Sequence, residues 1–140
     1  MALPSKIRLQ IVSPERSLVN EEVDEVEIPG ADGYFGVLPG HTPLLALLGA
    51  GELWYRKGQD FTYLLIALGF AEVQPGQVTI LAEAAEHPED IDVERAKKAL
   101  ERAQTRVISA QVDIDAERAR IALLKSMIRL QVATRARIRS

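Results

Sequence analysis

The stretch GYFGVLPGHTPLLALLGAG, residues 33–51, sets turn signals densely between short apolar runs. Gly33, Gly36 and Gly40 are free to take positive φ, and Pro39 and Pro43 fix φ and donate no backbone hydrogen bond, so the chain must reverse repeatedly here. No long helix runs through it. Tyr34–Leu38 and Leu44–Leu48 are each long enough for one buried strand, and the LPGHTP corner between them carries His41 at its tip.

On the N-terminal side, Ile7, Leu9 and Ile11 alternate with Arg8 and Gln10, the period of a strand with one wet face. Pro14 starts a turn, and Leu18 with Val19, then Val26 with Ile28, are further strand candidates that end at Pro29 and Gly30. On the C-terminal side, Glu52–Arg56 and Phe61–Ile66 flank the connection Lys57-Gly58-Gln59-Asp60, and Phe70–Gln74 and Gln77–Leu81 flank Pro75-Gly76. Both connections are of hairpin type. Some eight to ten short strands without an intervening helix predict an antiparallel β-sandwich or flattened barrel over residues 1–87.

Composition changes abruptly near Pro88. All nine glycines, all seven prolines and all seven aromatic residues lie in residues 1–88, which hold five Lys/Arg against twelve Asp/Glu; residues 89–140 hold twelve against eight. Past that point the apolar period shifts from 2 to about 3.6. Asp90 or Asp92 is placed to cap a first helix, and Val93, Ala96, Leu100, Ala103 and Val107 form one narrow apolar stripe suited to a close helix partner. Ser109 or Asp113 is placed to cap a second helix running to about Ala133. Residues 88–140 thus read as a two-helix antiparallel hairpin. Its second helix carries two stripes, Ile114, Ile121, Leu124 and Ile128, then Ala119, Leu123, Met127 and Leu130. That is more apolar surface than one partner helix covers, so the hairpin should dock on the sandwich, on another protein, or on each in turn.

Several chemistries are excluded or weakened by the residues themselves. The chain has no cysteine, so disulfides, thiolate metal sites and a cysteine nucleophile are ruled out. No apolar run approaches the roughly 20 residues of a membrane span, and MALPSKIRLQIV lacks a signal peptide's apolar core. Gly30, Gly33, Gly36 and Gly40 are not followed by the Lys-Ser/Thr pair of a phosphate-binding loop. His41 has no acid or nucleophile tied to it by spacing, so no catalytic residue is assigned. Glu21, Glu22, Asp24, Glu25 and Glu27 read as a solvated edge strand. The tail Arg135, Arg137, Arg139 is basic, but the acidic sandwich opposes nucleic acid.

GYFGVLPGHTPLL, then FAEVQPGQVTILAE, then IDVERA at the opening of the first helix, in that order and spacing, resemble the ε subunits of bacterial F-type ATP synthases over nearly the whole chain. One departure is Ala67-Leu68-Gly69, where relatives usually carry Ser-Gly-Gly at a tight strand join. The resemblance implies a non-catalytic rotor part of a proton-translocating ATP synthase, peripheral on the cytoplasmic face of the bacterial membrane. Its sandwich would clamp the γ subunit and sit on the c ring, with Tyr34 and His41 as exposed interface residues. Its hairpin would inhibit ATP hydrolysis, reaching the catalytic αβ head when extended.

The same resemblance implies a regulatory ATP site, because Ile91, Asp92, Arg95 and Ala96 fit the I/L-D-x-x-R-A pattern of members that bind ATP. Glu86, Arg102 and Arg129 also match, and Lys125 stands where an arginine is usual. Arg95, Lys125 and Arg129 would surround a phosphate chain with positive charge once the helices fold together. The competing reading is that Asp92 caps the helix and Arg95 pairs with a neighbouring acid. At the level of the whole protein, the alternative is a free-standing ATP-sensing module with a different protein partner.

Overall fold

Strand alternation holds at the start of the computed structural model: in β1 (Ile7–Val12) the side chains of Ile7, Leu9 and Ile11 are fully buried and Arg8 is exposed. The structure describes residues 3–109 and 114–139, with side chains over 3–106 and 118–134. The chain divides into two compact units, Met1–Glu86 and His87–Ser140.

The first unit continues with β2 (Ser17–Val23), β3 (Glu25–Gly30), β4 (Gly33–Val37), β5 (Leu44–Lys57), β6 (Asp60–Gln74) and β7 (Gln77–Glu86). They form one sheet in the order β2-β1-β7-β6-β5-β3-β4, folded over a single core. Every neighbouring pair is antiparallel except β1 and β7, which run parallel, so the sheet is mixed where pure antiparallel pairing was expected. The fold-over brings β2, at one end of that order, against β5. Tyr55 Oη donates to Glu21 Oε1 at 3.3 Å and Lys57 Nζ to Glu21 Oε2 at 2.9 Å.

Seven strands are found among the described residues, fewer than the eight to ten expected, because β5 and β6 are each one long strand where the sequence reads as two. The reason lies in the core positions. These are Leu48, then Leu53 and Tyr55 in β5; Leu64 and Ile66, then Ala71 and Val73 in β6; Ile80 and Ala82, then Ala85 in β7. In each strand the inward set changes parity, yet the register does not, since Leu48 pairs with Gly69 and Ala50 with Ala67, and Gly69 with Ala82 and Ala67 with Ala84. The three strands crease together at one level. At the crease Leu68 (φ 62°) and Gly69 (φ 118°) take left-handed conformations, and a Cβ on Gly69 would lie 2.0 Å from the Leu81 carbonyl oxygen. That position is open only to glycine.

Three further expectations are corrected. Tyr34–Leu38 and Leu44–Leu48 are not buried strands: only Val37 and Leu48 in them are buried, and Tyr34, Leu38, Leu44, Leu45 and Leu47 are exposed. Gly33 and Gly40 have positive φ but Gly36 does not. The acidic run is not one solvated edge. Glu21 and Glu22 lie on the edge strand β2, whereas Glu25 and Glu27 lie on β3, inside the sheet order. Asp24 joins the two strands and is well partnered, accepting the Gly58 N–H at 2.7 Å and pairing with Lys6.

The second unit opens with a 3-10 turn, Pro88–Asp90, followed by α1 (Val93–Ser109) and α2 (Ile114–Arg139). Asp92 caps α1: its Oδ1 accepts the Arg95 N–H at 3.1 Å and its carbonyl accepts the Ala96 N–H at 2.9 Å. Asp113, the other proposed cap, lies outside the described residues, as do residues 110–112. α2 runs past Ala133, because no glycine or proline interrupts it.

The two helices contact each other, and the connection at 110–113 is short enough that they run antiparallel. Among the described residues, those buried are Ala96 and Ala103 in α1, and Ala119, Ser126, Val132 and Ala133 in α2. Ala96 and Ala103, like Ala119, Ser126 and Ala133, recur every seven positions, so a line of small side chains faces the partner helix and lets the backbones approach closely. Of the two stripes expected in α2, Ala119 lies in that seam and the larger residues do not. Leu124 and Met127 are exposed, and Ile121, Leu123, Ile128 and Leu130 are half-buried. Ser126 enters the seam at no polar cost, because its hydroxyl donates to the Ala122 carbonyl at 2.9 Å.

Candidate functional site

The small-residue seam fixes which way every other side chain of the hairpin points. A residue one position before a seam residue is rotated by about 100° around its helix. In an antiparallel pair the same offset on both helices falls on the same side. Arg95 and Arg102 immediately precede Ala96 and Ala103; Arg118 and Lys125 immediately precede Ala119 and Ser126. All four therefore belong to one face of the hairpin, and Arg129, three positions after Ser126, leans over the seam from the same side. Counting from the connection at about 1.5 Å per residue, Arg129, Arg95, Lys125 and Arg102 occupy successive levels within roughly 15 Å.

Among the described residues, the side chains of Arg95, Arg102 and Lys125 have no carboxylate partner, while the neighbouring Lys97 pairs with Glu94 at 3.8 Å. The second half of the competing reading, Arg95 held by a neighbouring acid, is not what the side chain does. The first half stands, because the Asp92 carboxylate is engaged at the helix start. Ile91 closes the 3-10 turn through its N–H to the Pro88 carbonyl at 3.2 Å, and Ala96 lies buried in the seam. Both residues shape the start of α1. Glu86 belongs to the first unit, the last residue of β7 opposite Leu65. A face of aligned cations around a narrow seam is suited to a polyphosphate chain, which takes several charge-assisted hydrogen bonds at once.

The first unit carries a second candidate surface. Leu81 of β7 lies opposite Val12 of β1 and Phe70 of β6, and Phe70 lies opposite Leu47 of β5. This row crosses four strands, with Leu45 beside it, and Leu45, Leu47, Phe70 and Leu81 are all at least half exposed. A shallow groove of about 360 Å³ opens beside it, lined by Val12, Pro14, Phe70 and Leu81 among others. The row was missed from the sequence because LLALL offers no polar residue to mark the wet side of its strand.

Tyr34 and His41 lie elsewhere on this unit. Tyr34 is more than half exposed, and its ring reaches over Gly51, where its hydroxyl accepts the Glu52 N–H at 3.2 Å. His41 is half-buried; its N–H closes the turn onto the Leu38 carbonyl at 3.2 Å and its ring Nδ1 lies 2.6 Å from the Thr42 carbonyl. Among the described residues no cluster of His, Cys, Asp or Glu is placed to hold a metal ion, and no helix is long and apolar enough to cross a membrane.

A sheet unit with an exposed apolar row, followed by a helix pair with a cationic face, makes a two-module protein. The chain belongs to the ATP synthase delta/epsilon chain family: the beta-sandwich domain of that family matches residues 6–88 and its long alpha-helix domain residues 89–134. It is similar to an ATP synthase epsilon chain of Syntrophobacter fumaroxidans, 48% identical over 94% of this chain and 98% of that one. Epsilon chain 2 of Syntrophotalea carbinolica is 45% identical over 95% and 97%. The fold also matches a chain in the cryo-EM structure of Euglena gracilis mitochondrial ATP synthase, OSCP/F1/c-ring, with a TM-score of 0.79 at 28% identity over 99% of this chain and 84% of that chain. The protein is an epsilon-type, non-catalytic subunit of the ATP synthase complex.

Proposed function

We propose that the chain is a central-stalk rotor subunit that couples the γ subunit to the c ring and restrains ATP hydrolysis through its helices, with ATP as a regulatory ligand of the hairpin. Residues 1–87 form the adaptor and residues 88–140 the regulatory part. The cationic face is the observation that carries the regulatory half. Arg95 and Arg102 on α1, with Lys125 and Arg129 on α2, supply charge from both helices to one phosphate chain. A ligand held that way favours the folded hairpin over any state that separates the helices. The apolar row Leu47–Phe70–Leu81 supports the adaptor half, since such a patch is covered when a partner such as γ binds. Tyr34 and His41, near the β3–β4 hairpin and the following turn, are the residues proposed to meet the c ring.

Arg95→Ala is expected to weaken ATP binding at least tenfold by titration calorimetry while leaving the unfolding of the sheet unit unchanged. An unaltered isotherm would return Arg95 to a purely structural role. The second reading, a free-standing ATP-sensing module, is separated by a pull-down: retention of γ and c subunits supports the stalk, and ATP binding without either supports the module.

A further inference from the structure

The sheet has two ends, and they are protected differently. β2 carries Glu21 and Glu22 along its length, charges that discourage further strand pairing. β4, Gly33–Val37, reads GYFGV and has no charged residue. Its outward side chain is Tyr34, and beyond a gap at Gly36 follows Leu38, one residue past the strand; both are more than half exposed.

Gly36 is not explained by the fold. Its φ is outside the left-handed region, and a Cβ built on it would meet nothing within 4 Å. Glycine inside a strand is unfavourable, and one use of it is to leave room where another backbone or a ligand approaches closely. The gap opens onto a groove. In register, Gly36 lies opposite Glu27 of β3, and Glu27 lies opposite Trp54 of β5. A cavity of about 240 Å³ is lined there by Glu25, Glu27, Gly36, Val37, Leu38 and Trp54. Neither glutamate has a cationic partner among the described residues. The nearby Arg56 is turned away, with Nη1 on the Gly58 carbonyl at 2.8 Å and 3.8 Å from Asp24.

We infer that the free edge of β4 is a docking site for an extended basic segment of a partner protein, which adds as an eighth strand and places one lysine or arginine over Gly36 into the Glu25/Glu27/Trp54 groove. Strands in a sheet lie about 4.8 Å apart, so a long side chain on the added strand, crossing where Gly36 has none, reaches the carboxylate of Glu27 one strand further in. The indole of Trp54 gives the same cation an aromatic surface. Main-chain hydrogen bonds to β4 supply sequence-independent affinity and the groove supplies the preference for a base. The acidic excess of residues 1–88 draws such a segment in. All residues of the site belong to the first unit.

Trp54 is the only tryptophan, so its emission reads the groove directly in the full-length chain. The probe is a blocked heptapeptide of alternating threonine and valine with a central lysine. A saturable emission change is expected, weakened at least fivefold by Glu27→Gln and at least tenfold by Gly36→Val, which fills the gap without a backbone clash. The same peptide with every backbone amide N-methylated, so that neither edge can donate, should not bind. Gly36→Ala serves as a second variant with almost no added bulk, and an intermediate loss is expected for it. Equal binding of the N-methylated peptide, indifference to both Gly36 variants, or no saturable change with the lysine peptide would each overturn the proposal.

Discussion

Leu68 occupies a left-handed backbone position, φ 62°, that an L side chain adopts only at a cost of roughly 1–2 kcal/mol. It lies at the crease beside Gly69, which is also left-handed, so the fold keeps the crease here despite the side chain. Leu68→Gly is therefore expected to raise stability by about 1 kcal/mol, measured as a shift in the urea midpoint; a loss of stability would mean that the half-buried leucine side chain contributes more than its backbone strain takes away. Asp24 makes a second case. The Gly58 N–H, then the Lys6 ammonium, hold its carboxyl below the usual carboxylate range. A group depressed in this way favours the folded state above its unfolded pKa of about 3.9 and loses that contribution as pH falls through the lower, folded value. Asp24→Asn should lower stability at pH 7 and flatten the decline below about pH 4, read from unfolding midpoints between pH 7 and 2.5. Neither feature is visible in the sequence: one depends on a backbone angle, the other on residues 18 and 34 positions away.

Elements were legible wherever one periodicity held from end to end. β1 was found because Ile7, Leu9 and Ile11 keep one parity throughout, and the hairpin turns at Gly58 and Pro75-Gly76 because their chemistry is local. β5 and β6 were each divided in two because the crease at Gly49 and Leu68 changes parity inside a continuous strand, and a break in alternation looks the same whether the chain turns or only twists. The helix seam was half legible. Ala96, Ala103 and Ala119 lie on expected stripes, but Ser126 and Ala133 do not, because there closeness rather than hydrophobicity is selected. That distinction is testable at Ser126. Ser126→Ala should be neutral or slightly stabilising, since its hydroxyl bonds only within its own helix, whereas Ser126→Leu should destabilise by about 1–3 kcal/mol despite greater hydrophobicity. Thermal unfolding followed by far-ultraviolet circular dichroism distinguishes them, and a stabilising leucine would refute the close seam.

For the whole molecule, the question is why a hairpin should be built around so lean a seam. A helix pair whose buried side chains, among the described residues, are alanines, one serine and one valine buries little apolar surface, so its closed form has a modest margin over an open one. Its leucines and methionine, left partly exposed, remain available to another surface. As one continuous helix, residues 91–133 would reach about 65 Å at ~1.5 Å per residue. On the proposed role, an extension of that kind is what would carry the helices toward the catalytic head. ATP bridging cations on both helices would hold the closed form in proportion to its preference for that form, so the hairpin should restrain hydrolysis when ATP is scarce and release it when ATP is plentiful. Ala103 and Ala119 are buried on facing sides of the seam, and counting from the connection places them nearly level. A disulfide between Ala103→Cys and Ala119→Cys should therefore close without distortion and lock the hairpin shut. In the assembled enzyme the oxidised lock is expected to abolish inhibition of ATP hydrolysis, and reduction to restore it. Inhibition that persists undiminished with the disulfide closed would rule out opening of the hairpin as the inhibitory step.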